Sequence, residues 1–196
     1  MAHAPTAGHL ETNTGLDNRK LLMWLFLGSE CLFFGSFIAA YLLYRDRSVV
    51  GPYPHDLYDI PFTSVSSFVL LMSSLSMVLA LAAIQRGDLR QMRVWLLATS
   101  FLGLLFLSGQ AFEFTQFYRE GLSLHTNMFG TTFFVLTGFH GAHVTVGVLI
   151  LMSIYSLSLK GHITEENALN VELAGLYWHF VDIVWIVIFT LVYLIK

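Results

Sequence analysis

Glu30, His140, His143, Glu172, His179 and Asp182 are ionisable residues within or bordering stretches that are otherwise almost purely apolar. Glu172, Gly175, His179 and Asp182 are spaced 3, 4 and 3 apart, so on a helix they share one face. His140 and His143 are three apart and do the same. Imidazoles and carboxylates bind zinc, iron or copper, carry protons, or hydrogen-bond one helix to another. His140, His143, His179 and Asp182 offer a ligand set on paper. Three histidines are too few for two bis-histidine haems, or for the histidine-rich di-iron site of a membrane desaturase. No HExxH, P-loop or GxSxG motif is present. The one cysteine, Cys31, forms no intrachain disulfide and excludes CxxC chemistry. The expectation is therefore that these groups pair with one another between helices. A metal centre and a transport path stand as alternatives.

Such residues need rigid apolar elements to hold them. Of the 196 residues, 56% are hydrophobic and only 12% charged, about half the roughly 25% usual in soluble domains. Mean hydropathy is +0.67. A soluble chain of this size cannot bury that much apolar surface. The net charge of -3 leaves no basic field for nucleic acid. Five segments reach the roughly 20 apolar residues a bilayer requires: Leu21–Tyr44, Phe62–Ile84, Val94–Phe117, Met128–Leu159 and Leu173–Ile195. The predicted fold is an all-α integral membrane bundle of five helices. The first 18 residues are polar, with no cleavable signal expected. Loops are expected over Arg45–Pro61, Arg86–Arg93, Arg119–Thr126 and Lys160–Asn170. Six Lys and Arg residues on the N-terminal side against four opposite favour the N-terminus inside and the C-terminus outside. The third span carries Glu113 near its far end. Gly138, Gly141 and Gly147 in the fourth span, and the serines of the second (Ser66, Ser67, Ser73, Ser74, Ser76), should let helices approach closely.

Glu30 lies ten residues beyond Lys20, hence about 15 Å into a core about 30 Å thick. An ionised group there costs at least about 2.5–3.5 kcal/mol, so Glu30 should face protein. Two roles fit it: a neutral carboxyl hydrogen-bonded between helices, or a proton-handling group. With antiparallel neighbours, His143 or His140 falls at a compatible depth.

Four segments resemble subunit III of the haem–copper respiratory oxidases, in the same order and at similar spacing. They are WLFLGSECLFFGSFIAAYLLY at Trp24–Tyr44, QRGDLRQM at Gln85–Met92, GTTFFVLTGFHGAHV at Gly130–Val144 and YWHFVDIVW at Tyr177–Trp185. The likeness covers roughly residues 20–195. It implies a polar tail over 1–18 and one subunit III-like membrane domain over 19–196. It also implies that Glu30 is the family's carbodiimide-reactive, proton-linked carboxyl. It further implies no catalytic, metal or cofactor-binding residue in this chain: haem and copper sit in partner subunits, while phospholipid binds here. Subunit I is the implied direct contact, with subunit II in the same complex, membrane lipid around it and no nucleic acid. The implied location is the bacterial plasma membrane. Longer members of the family carry two further helices before the Ser-Glu helix, so this chain resembles the short five-span form.

The implied function is that of a non-catalytic subunit of an oxidase that reduces O₂ to water and pumps protons. This chain would support subunit I, hold lipid and contribute to proton supply. An accessory subunit of a nitric oxide reductase-type complex is one alternative. An independent membrane metalloprotein using His140, His143 and His179 is another, and a proton-coupled transporter built on Glu30 a third.

Overall fold

The computed structural model describes residues 17–45, 47, 59–164 and 167–195. Residues 1–16 of the tail expected over 1–18, and most of the Arg45–Pro61 loop, lie outside the described residues; Asn18 already belongs to the first helix. Among the described residues five helices are long and apolar enough to cross a membrane: α1 (Asn18–Tyr44), α2 (Ile60–Gln85), α3 (Leu89–Arg119), α4 (Met128–Leu159) and α5 (Ala168–Phe189). A π-helical turn over Thr190–Leu194 continues α5. There is no strand among the described residues.

α1, α2 and α3 start a few residues before their apolar runs do, because polar residues outside the runs cap them. The first N–H groups of a helix have no partner within it. Asp17 accepts from Arg19 N at 2.8 Å and Asp59 from Phe62 N at 3.2 Å. Asp88 accepts from Gln91 N at 2.9 Å and Asn127 from Gly130 N at 2.7 Å. α5 begins at Ala168, inside the segment expected to be loop. Between α2 and α3 the chain reverses through Gly87, whose φ of +76° suits glycine. Asp88 N bonds back to Ala83 O at 3.0 Å and Gly87 N to Ile84 O at 2.9 Å, closing the end of α2. So short a turn folds α2 and α3 into a tight antiparallel hairpin.

α2 packs on α3 and α5, and α4 closes the ring by packing on the same two helices. α1 lies outside this ring, against α4 and α5. Its buried line is Leu27, Phe34 and Tyr41, at heptad spacing. Much of the rest of α1 is exposed.

Two tryptophans of α5 fill the ring. Trp178 is wedged between α3 and α4, where a Cβ on Gly103 would come within 2.6 Å of the indole and one on Gly147 within 2.8 Å. Its Nε1 donates to Ser73 Oγ on α2 at 3.0 Å. Trp185 donates to Ser67 Oγ on α2 at 2.8 Å. It also meets Phe106 of α3 edge-on at 4.8 Å. Gly141 is small for a different reason: a Cβ there would meet Gln110 Oε1 at 2.6 Å. Gly138 differs from its neighbours, with nothing within 4 Å of its would-be Cβ. Of the three glycines expected to admit a neighbour on α4, Gly141 and Gly147 do so.

Candidate functional site

His143 is where α1, α4 and α5 meet. Its Nε2 lies 3.2 Å from Glu30 Oε2, with the side chains 18% and 17% exposed. Its Nδ1 lies 2.7 Å from the Phe139 carbonyl, one turn back on α4. Tyr177 of α5 donates its hydroxyl to the His143 carbonyl at 3.1 Å. Phe34 of α1 packs edge-on against the ring at 4.9 Å.

This geometry fixes a proton count. A carbonyl only accepts, so Nδ1 carries hydrogen. In a neutral ring Nε2 is then an acceptor, and Glu30 bonds to it as a carboxylic acid. In a charged ring Nε2 donates to a carboxylate. Either way a single proton bridges the pair, and the pair as a whole is neutral.

The remaining sequence-singled residues go to separate places. Glu172 pairs with Lys20 at 2.5 Å, joining the starts of α1 and α5. His140 is fully buried, stacked on Trp185 at 4.9 Å, with neither ring nitrogen hydrogen-bonded among the described residues. His179 Nδ1 lies 2.6 Å from Ser74 Oγ on α2. Asp182, 3% exposed, also faces α2: Ser74 approaches it, but neither carboxyl oxygen completes a hydrogen bond among the described residues. The stripe Gly175, His179 and Asp182 thus lines the α2–α5 seam, with Met77 opposite Gly175.

Two further polar sites were not among the candidates. Glu113 of α3 accepts from Thr63 of α2 at 2.8 Å and from Tyr193 at 3.1 Å, holding the final turn of the chain to the α2–α3 hairpin. Gln110 donates to the Thr137 carbonyl of α4 at 2.7 Å. The signal for both was present: Gln110 and Glu113 are three apart, in a span with few other polar residues. Neither belongs to a motif that suggests chemistry.

Beside the Glu30–His143 pair runs an open cleft of about 540 Å³ between α1 and α4, floored by α5. Met23, Phe26, Val146 and Leu173 make it apolar, and His143 and Tyr177 give it one polar edge. Among the described residues no three His, Cys, Asp or Glu side chains are placed to hold a metal ion. The histidines face different neighbours: Glu30, Trp185 and Ser74.

The family model for cytochrome c oxidase subunit III matches residues 6–196. The chain belongs to that family. It is 37% identical over 186 residues to cytochrome c oxidase subunit 3 of Bacillus sp. (strain PS3), covering 94% of this chain and 90% of the relative. It is 36% identical over 184 residues to quinol oxidase subunit 3 of Bacillus spizizenii, with the same coverage of 94% and 90%. With cytochrome c oxidase subunit 3 of Synechocystis it shares 41% identity over 183 residues, 91% of this chain and 76% of the relative.

The bridging proton makes a specific prediction for this subunit III. Glu30→Gln keeps a donor for His143 Nε2, so it should cost less than the about 0.6 kcal/mol that an interhelical hydrogen bond contributes in a membrane. His143→Leu strands the carboxyl and should cost about 1–3 kcal/mol. Unfolding in mixed detergent micelles, followed by circular dichroism, measures both. Equal costs, or a costlier Glu30→Gln, would contradict the pairing.

Proposed function

We propose that this chain is the non-catalytic subunit III of a haem–copper terminal oxidase in a bacterial plasma membrane. The observation that carries the reading is the family match across residues 6–196. The donor sets point the same way, since the histidines serve as packing and hydrogen-bonding groups between helices. Haem and copper then belong to partner subunits, with subunit I in direct contact and subunit II in the same complex. Relatives named for cytochrome c and for quinol are almost equally similar, at 37% and 36% identity. That supports a role that does not depend on the electron donor.

Two features of the structure support a finer role. The apolar cleft between α1 and α4 suits the acyl chain of a phospholipid, and the Lys20–Glu172 pair near the helix starts suits its headgroup region. The Glu30–His143 pair, able to share one proton, lies at the side of that cleft and supports a contribution to proton supply. The chain thus gives subunit I a packed flank, retained lipid and a nearby carboxyl–imidazole pair.

The Lys and Arg count supports an N-terminus inside, which puts the α2–α3 turn at the cytoplasmic surface. A cysteine replacing Asp88 should be labelled from the cytoplasmic side only. Labelling by an impermeant reagent from outside intact cells would reverse the orientation.

Removing this subunit should leave the haem and copper spectrum of the assembled complex intact. The initial rate of oxygen consumption should survive in large part, and activity should decay sooner over many turnovers. Subunit I loses a packed flank and its lipid, so local opening becomes easier. Oxygen consumption alongside metal and haem content is the measurement. Loss of a haem or a copper from otherwise assembled complexes would contradict the assignment.

A further inference from the structure

A second hollow, of about 440 Å³, opens where the α3–α4 loop meets both helices. Phe114 of α3 and Phe134 of α4 form its walls, edge to face at 5.1 Å. Arg119 ends α3 five residues after Phe114, and Phe134 comes six residues after Met128 starts α4. At the helical rise the two rings lie about 8–9 Å below the loop. The rim is polar, with Thr115 and Tyr118 from α3 and Ser123 and His125 from the loop. Tyr118 alone would be an ordinary interfacial anchor. Phe114 and Phe134 beneath it make a slot.

The loop is held in shape by its own hydrogen bonds. It turns at Gly121, whose φ is +90°. Thr126 Oγ1 donates to the Gly121 carbonyl at 2.9 Å and accepts from Ser123 N at 3.0 Å. Thr131 Oγ1 donates to the Leu124 carbonyl at 2.6 Å, tying the loop to α4. Leu122 is fully buried and anchors it from below. The pocket is therefore preformed, as small-molecule sites usually are, and its volume lies within their range of roughly 300–1,000 Å³. Thr115 gives its proton to the Ala111 carbonyl at 2.8 Å. Two donors are left over, because the Tyr118 hydroxyl and the His125 ring make no hydrogen bond among the described residues.

We infer that this pocket binds the ring of a membrane quinone, with its carbonyls on Tyr118 and His125 and its prenyl tail running down into the hydrocarbon. A quinone ring is flat and neutral and carries two hydrogen-bond acceptors. The aromatic walls suit a flat ring. The two free donors match the two carbonyls. None of the described residues lining the pocket is Lys, Arg, Asp or Glu, so the phosphate of a phospholipid finds no counter-charge in it. Arg119 lies on the neighbouring face of α3, with Phe112 and Gln116. The depth fits as well, since a ring just below the loop leaves its apolar tail at acyl-chain level. The site holds the quinone and passes no electron to or from it. The inference goes beyond the proposed subunit III role and does not depend on it.

The test uses the detergent-extracted assembly containing the full chain, with a photoreactive azido-ubiquinone as the probe. The expected adduct maps by mass spectrometry to residues 114–134 of this chain and saturates. Excess ubiquinone should suppress it, and excess phosphatidylglycerol should not. Tyr118→Phe combined with His125→Leu removes both donors at exposed side chains, and circular dichroism checks that the variant is folded. With two hydrogen bonds lost, half-saturation should rise about tenfold. No adduct in residues 114–134, labelling that does not saturate, or an unchanged half-saturation in the folded double variant overturns the inference. Suppression by phosphatidylglycerol as effective as that by ubiquinone overturns it too, and makes the pocket a lipid site.

Discussion

An indole N–H inside a bilayer has no water to bond, and this bundle is built around two of them. Trp178 and Trp185 point from α5 into the ring of α2 to α5, and both donate to serines of α2. The ring must open for such large side chains, and it does so through the absence of others: Gly103 on α3 and Gly147 on α4 leave the space that Trp178 fills. Trp185 then covers His140 on one side and meets Phe106 on another. Helix association in lipid draws on packing and hydrogen bonds, since tails are as apolar as leucine. A bulky aromatic with one polar atom, set against glycine and serine, supplies both at once.

The other polar residues work as local fasteners at different depths. Lys20–Glu172 joins the starts of α1 and α5, and Glu30–His143 holds α1 to α4 further in. Ser76 and Thr99 join α2 to α3 at 2.8 Å. Arg93 donates twice to Ser158 at 2.7 Å, tying the start of α3 to the end of α4. Glu113 secures the final turn. Each pair spans two helices, and for the buried ones, Ser76–Thr99 and Glu113–Tyr193, removing one member leaves its partner buried without compensation. Ionisable side chains in a membrane protein need not mark catalysis, and here most of them are accounted for by connections between helices.

The five helices were legible because each apolar run is far longer than any strand or soluble-core helix requires. Their ends were less legible: Asp17, Asp59 and Asp88 lie outside the hydrophobic pattern and extend the helices by capping, whereas α4, capped by Asn127, runs over Met128–Leu159 as its apolar run does. The shared face of Gly175, His179 and Asp182 followed from spacing alone, but spacing says nothing of the neighbour it meets. That neighbour is α2, so His179 pairs with Ser74 and stands apart from His140 and His143. The serines of α2 were readable as small residues and not as indole acceptors. The choice of His143 over His140 as partner of Glu30 depends on how α1 is rotated against α4, and that is a tertiary property.

The central claim is that paired polar groups between α5 and α2 hold this subunit together. A double-mutant cycle of Trp178→Phe and Ser73→Ala in the purified chain, read by unfolding in mixed micelles, measures one such pair in isolation. The account predicts a favourable coupling of about 0.6 kcal/mol, with about 1.7 kcal/mol as the upper range for membrane hydrogen bonds. A coupling of zero, with the two costs simply additive, would contradict it.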